Sequence, residues 1–243
     1  MKSLGSVFMA YKNKKATRFV IENFRKHFKD SKTFLVSDGG DDFSEFENEF
    51  DGLKFIKLEN ILGNEVNNYR KLPYEAFRMK EYWRRVKCAV DFCTSEYMII
   101  LEDDVFVTSR FDFKRDLHLA GWKGPPLSHA MRLDISRLQN GMNVERYGMC
   151  GGSVFNSKTF LDIYDDVIKD IEDNHDKLLN NPEYYLLGAS DANLVYHFSK
   201  RGYVYENAEW LSHLGQTYNA LSFPVVHDYK ELYDRKTSNG AFI

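Results

Sequence analysis

Residues 98–107, MIILEDDVFV, carry four apolar side chains straight into three consecutive carboxylates, Glu102, Asp103 and Asp104, and then return to apolar residues. Three adjacent anions repel one another, most strongly where the end of a hydrophobic strand is partly desolvated. A positive partner is therefore expected beside them. A hard divalent cation fits that role, because it takes oxygen ligands, needs only one or two protein carboxylates, and keeps water and substrate phosphates as its remaining ligands. The alternative is a solvated acidic turn after a buried strand.

The elements that must position this turn are legible in the apolar spacing. Leu4 to Tyr11 reads as a strand, and Val20, Phe24 and Phe28 then place one apolar stripe on a helix from about 14 to 28. Thr33 to Val36 reads as a second strand, closed by Ser37-Asp38-Gly39-Gly40, and Phe55 to Leu58 as a short third. From Tyr74 to Cys93, apolar positions 79, 82, 83, 86, 89, 90 and 93 keep the helical period, with Arg78, Lys80, Arg84, Arg85 and Lys87 assigned to the other face. The strand Tyr97 to Leu101 follows and ends in the acidic triplet. Such alternation predicts an α/β fold around a mostly parallel central sheet flanked by helices, with ligands at the carboxyl ends of the strands. Beyond residue 106 the alternation weakens until a helix of about Lys158 to Ile171, which Ser157 could cap. A further helix opens at Ser190 or Asp191, with Leu194, Val195 and Phe198 as its apolar face.

The stretch EYMIILEDDVFV, preceded by a basic amphipathic helix and by an SDGG turn after an earlier strand, resembles the nucleotide-binding half of GT-A glycosyltransferases over roughly residues 4 to 108. The acidic triplet is most similar to the Glu-Asp-Asp form of the DXD motif found in some inverting N-acetylglucosaminyltransferases. The resemblance implies a GT-A (Rossmann-like) fold and a Mn2+ or Mg2+ ion held against a nucleotide-diphosphate sugar. On it Asp104 is the direct metal ligand, and Asp103 and Glu102 reach the ion's waters or the donor's ribose and sugar. Glu102 stands where the commoner motif has its first aspartate. Lys12, Lys14, Lys15 or Arg18 would meet phosphate, and Asp38 would accept a hydrogen bond from the base or ribose. Gly152, in YGMCGGSVFN, would lie near the donor sugar and acceptor. Asp191 is the match to the general base of inverting members, with Glu183 in reserve. A late histidine, His227 or its competitor His213, would complete the metal site. Each of these stretches also has a plain structural explanation: a basic first turn, a tight turn, a turn into a strand, a helix cap or a surface histidine.

Length and composition bound these expectations. At 243 residues with 43% hydrophobic content the chain can bury a large core, and it is expected to form one domain over 1–243, with residues 1–108 holding the donor and 109–243 the acceptor. A formal net charge of -3 gives no bulk attraction to nucleic acid or an anionic membrane. Three scattered cysteines without a CxxC pair favour a reducing, cytoplasmic location. The amino-terminal apolar stretch is explained as a first core strand rather than a signal peptide, and no run of about 18 apolar residues spans a membrane. The expected activity is transfer of a sugar from a UDP- or GDP-type donor to a carbohydrate or glycan hydroxyl, with inversion. A retaining transferase, a nucleotidyltransferase and a non-catalytic carbohydrate- or calcium-binding module are the alternatives. YKNKKATR has no glycine to build a nucleotidyltransferase phosphate loop.

Overall fold

The computed structural model describes residues 2–61, 76–113, 116–122, 151–180, 191–213 and 219–227, with the backbone alone at 175–180, 191–192, 213 and 220. Strands β1 (Leu4–Ala10), β2 (Thr33–Asp38), β3 (Leu53–Leu58) and β4 (Tyr97–Leu101) pair in parallel in the order β3-β2-β1-β4. Three short strands extend the sheet to seven: β7 (Val154–Asn156) runs antiparallel beside β4, followed by β6 (Leu119–Gly121) and β8 (Tyr205–Asn207). The fold is thus α/β with a mostly parallel central sheet, as the alternation predicts, and the sheet draws strands from both halves of the chain.

Strands in such a sheet are covered on both faces, so side chains of both parities must be apolar. In β1 Val7 faces one core layer while Leu4, Phe8 and Ala10 face the other; in β4 Met98 and Ile100 separate in the same way from Tyr97, Ile99 and Leu101. The first layer is closed by helices α3 (Ala76–Cys93), α4 (Ser157–Asn180) and α5 (Asp191–Lys200). Trp83 of α3 is its centre: its ring stacks on Phe160 at 4.9 Å, and its Nε1 donates to Asn193 Oδ1 at 2.5 Å. The second layer is closed by α1 (Lys14–His27), the short α2 (Phe46–Glu49) and a small sheet of β5 (Phe106–Val107), β10 (Val225–His227) and β9 (Leu211–His213).

The helix starts differ in detail from expectation. Helix α1 is capped by Asn13, whose Oδ1 accepts from Ala16 N–H at 3.1 Å. For α4 the cap is Asn156, whose Oδ1 accepts from Thr159 N–H at 2.8 Å, so Ser157 is the first helical residue and not the cap. Among the described residues no helix is long and apolar enough to cross a membrane.

Candidate metal centre

Parallel pairing brings the carboxyl ends of β1, β2, β3 and β4 to one edge of the sheet, and β7, being antiparallel, contributes its amino end there. The acidic triplet and the glycine pair Gly151-Gly152 therefore share that edge. The triplet sits in a tight turn closed by Val105 N–H donating to Glu102 O at 3.2 Å, and Val105 is buried beneath it. The glycine pair is pinned across β4, since Gly152 N–H donates to Ile100 O at 2.8 Å and Ile100 N–H to Ser153 O at 2.9 Å.

The third component arrives from far along the chain. Strand β10 pairs antiparallel with β5 in the register Val225↔Val107 and Val226↔Phe106, which sets His227 opposite the end of the acidic turn. His227 Nε2 lies 3.0 Å from Glu102 Oε2 and 3.5 Å from Asp104 Oδ1. The side chain that the fold brings to the triplet from far along the chain is thus an imidazole. One ligand atom from each of Glu102, Asp104 and His227 lies within 4.8 Å of the others. Two neighbouring ligands about 2.1 Å from a common octahedral ion stand about 3 Å apart, so the 3.0 and 3.5 Å separations suit a single cation with little movement. Asp104 and His227 are mostly shielded, at 14% and 12% side-chain exposure, while Glu102 at 38% opens to solvent, where water or a ligand's oxygens would enter.

Two residues that sequence reasoning passed over shape this site. A Cβ on Gly151 would lie 2.3 Å from Val105 Cγ2, 3.2 Å from His227 Cδ2 and 3.3 Å from Glu102 Cβ, so only glycine fits against the turn. Asn23 of α1 is buried and its Oδ1 accepts from Val107 N–H at 2.6 Å, which fixes β5 and through it the register of His227. A glycine pair before a strand was visible in the sequence; nothing there signalled Asn23.

The expected site residues fall in several environments. Asp104, Glu102 and His227 come together, with Glu102 beside the other two as a potential direct ligand rather than only an outer one. Asp103 is half-buried in the same turn. Gly152 adopts a φ of 93°, and its carbonyl accepts from Trp210 Nε1 at 3.0 Å, so its backbone joins the core to the site edge. Asp191 is the first residue of α5; its side chain lies outside those described, as does that of His213 and all of Glu183. Lys12 Nζ lies 4.7 Å from the centre of the Tyr11 ring.

Arg18 forms a two-point ion pair with Glu49, at 3.0 and 2.9 Å, and Lys14 one with Glu45 at 2.8 Å, so these two cations tie α1 to α2. Asp38 is fully buried. Its Oδ1 accepts from Arg85 Nη1 at 2.6 Å and from Ile61 N–H at 2.8 Å, and Arg85 Nη2 donates to Glu59 O at 2.5 Å. Arg85 is therefore not on the polar face of α3 but 2% exposed, stapling the segment after β3 to the end of β2. The second glycine after Asp38 serves the chain's own packing: a Cβ on Gly40 would lie 1.4 Å from Tyr11 O.

Comparison with known proteins adds little. No family model matches the chain, and no curated protein matches it. Among solved structures it is similar to the glycosyltransferase GlyE of Streptococcus pneumoniae TIGR4, at 17% identity and a TM-score of 0.46 over 86% of this chain and 46% of that one. The chain therefore spans about half the length of that glycosyltransferase. At this identity and TM-score the likeness carries no argument about chemistry, which must stand on the geometry of Glu102, Asp104 and His227.

Proposed function

We propose that the chain is a metal-dependent glycosyltransferase of GT-A type that moves a sugar from a nucleotide-diphosphate donor, of UDP or GDP kind, to a carbohydrate or glycan hydroxyl with inversion. The observation that carries this is the convergence of two carboxylates and an imidazole at the carboxyl end of β4, beside a backbone that only glycine permits. Glu102, Asp104 and His227 would hold the ion. The imidazole favours Mn2+ over Mg2+, which prefers an all-oxygen shell. A divalent cation bound there would neutralise charge accumulating on a departing diphosphate.

The chain's own residues supply the rest. Asp103, in the same turn, would orient the donor's ribose or sugar, and Lys12 at the end of β1 would face its phosphates. Asp191, the first residue of α5, would take the proton from the attacking acceptor hydroxyl, and a helix dipole favours an anion at such a position. Free Cys88 and Cys93 accord with a reducing, cytoplasmic setting.

The test is a thermal-shift and calorimetric screen of UDP- and GDP-sugars with and without Mn2+. One donor should stabilise the protein only with the metal, and Asp104→Ala should remove that effect while leaving the melting temperature of the free protein nearly unchanged. Undiminished Mn2+-dependent donor binding by Asp104→Ala would sink the assignment, and metal-dependent binding with no sugar transfer to any glycan would favour a binding module.

A further inference from the structure

At the opposite edge of the sheet, where β1 and β4 begin, a cavity of about 460 Å³ is bounded by Lys2, Lys26, Lys29 and Arg110, with Asp30 the one carboxylate on its wall. Its volume falls within the range of ordinary small-ligand sites. An excess of cations here contrasts with a chain whose formal net charge is -3. Helix ends explain part of this: Lys26 lies in the last turn of α1, where the dipole favours positive charge. Lys29 directly follows the C-cap Phe28 of the same helix, whereas Lys2 and Arg110 come from other segments.

Two of these cations are held in place by aromatic rings. Lys2 Nζ donates to the Phe113 carbonyl and lies 4.5 Å from the Phe113 ring centre and 5.4 Å from that of Tyr97. The Arg110 guanidinium lies 5.6 Å from the centre of Phe28, which is itself fixed by stacking on Phe24 at 5.1 Å. Lys26 and Lys29 are exposed, and among the described residues neither has a carboxylate partner. Ser3, Ser31 and Ser95 line the same cavity. Two cations packed on aromatic rings and two exposed lysines around one cavity suit a multivalent anion whose oxygens accept many hydrogen bonds.

From this arrangement we infer that the amino-terminal edge of the sheet carries a second binding site, for a phosphate-bearing polyanion, separate from the acidic edge. The site needs no metal, because protein cations supply all the countercharge. The phosphate could belong to a soluble polyphosphorylated molecule or to a lipid headgroup.

The experiment titrates the full chain with inorganic tripolyphosphate in EDTA, so that no divalent cation can bridge phosphate to the acidic edge, and in parallel measures co-sedimentation with phosphatidylcholine vesicles with and without phosphatidic acid. Saturable binding is expected, about tenfold weaker in Lys26→Gln/Lys29→Gln and weakened comparably between ~50 and ~500 mM NaCl, since exposed charges are screened. Both lysines are exposed, so that variant should melt with the parent; Arg110→Gln provides an independent second loss. Tripolyphosphate binding lost in the variants establishes the site with a soluble ligand, and vesicle binding alone, lost in the same variants, establishes it with a headgroup. Absence of both, or binding that the variants leave unchanged, overturns it.

Discussion

The Asp38–Arg85 pair offers the sharpest separation between scaffold and ligand contact. Asp38→Asn keeps the side chain's shape and its acceptor for Ile61 N–H, but leaves the Arg85 guanidinium buried at 2% exposure without a counterion. Removing one partner of a buried pair costs about 3–5 kcal/mol, because the remaining charge has neither water nor an opposite charge. For a chain of this length each kcal/mol shifts the melting temperature by about 2–4 °C, so a fall of about 6–20 °C is expected. Asp38→Asn/Arg85→Met, which removes both charges and retains an apolar stem, should recover a large part of that loss. Thermal denaturation followed by circular dichroism gives all the values, and Mn2+ and donor titrations on the same proteins read binding. If Asp38→Asn melts within about 2 °C of the parent while donor affinity collapses, the pair is not structural and Asp38 contacts the ligand directly, as the family resemblance implies.

Three further outcomes are expected. Gly151→Ala should weaken Mn2+ binding at least about tenfold in calorimetry, because its Cβ must displace Val105 or His227, and adding Val105→Ala should restore part of it; parental affinity in the single variant would refute the packing argument. Burial pushes the His197 imidazole down to about 4, despite the neighbouring Asp170, so the fold refuses a proton that the unfolded chain accepts. Stability present above pH ~6.5 should therefore decline by about 3 kcal/mol as pH falls toward 4, and urea titrations should show that slope flattened in His197→Gln; an unchanged slope assigns it elsewhere. Asp191→Asn should cost about 100-fold to 10,000-fold in turnover with donor Kd nearly unchanged, and a loss within about threefold removes Asp191 from the role of base.

The first half of the fold was legible because its strands are long and doubly buried, giving apolar runs between turn residues that periodicity resolves. The three-residue strands β6, β7, β8, β9 and β10 carry too few residues to show a period, and their positions are set by pairing across the sheet. Within the site, the acidic turn and His227 could be picked out individually, but their meeting depends on the register of β10 against β5, which no local pattern encodes. Arg85 shows a signal present and misread. Its spacing from Tyr82 and Ala89, three and four residues, puts it on the apolar stripe of α3, and a charge on that stripe needs a buried partner. Asp38 was that partner, 47 residues away.

Because Glu102 and His227 are 125 residues apart in sequence, the order in which the chain is made bears on the candidate centre. At about 5–20 residues per second, the acidic turn leaves a ribosome some 6–25 s before β10 does. Through that interval β1 to β4 can pair and bury their core while Glu102 and Asp104 face solvent as bare carboxylates. On the proposed function, cation capture would become tight only when β10 docks. Nascent chains halted before Val225 should therefore hold the sheet yet bind Mn2+ no better than an ordinary acidic loop, so folding and metal loading are separable in time.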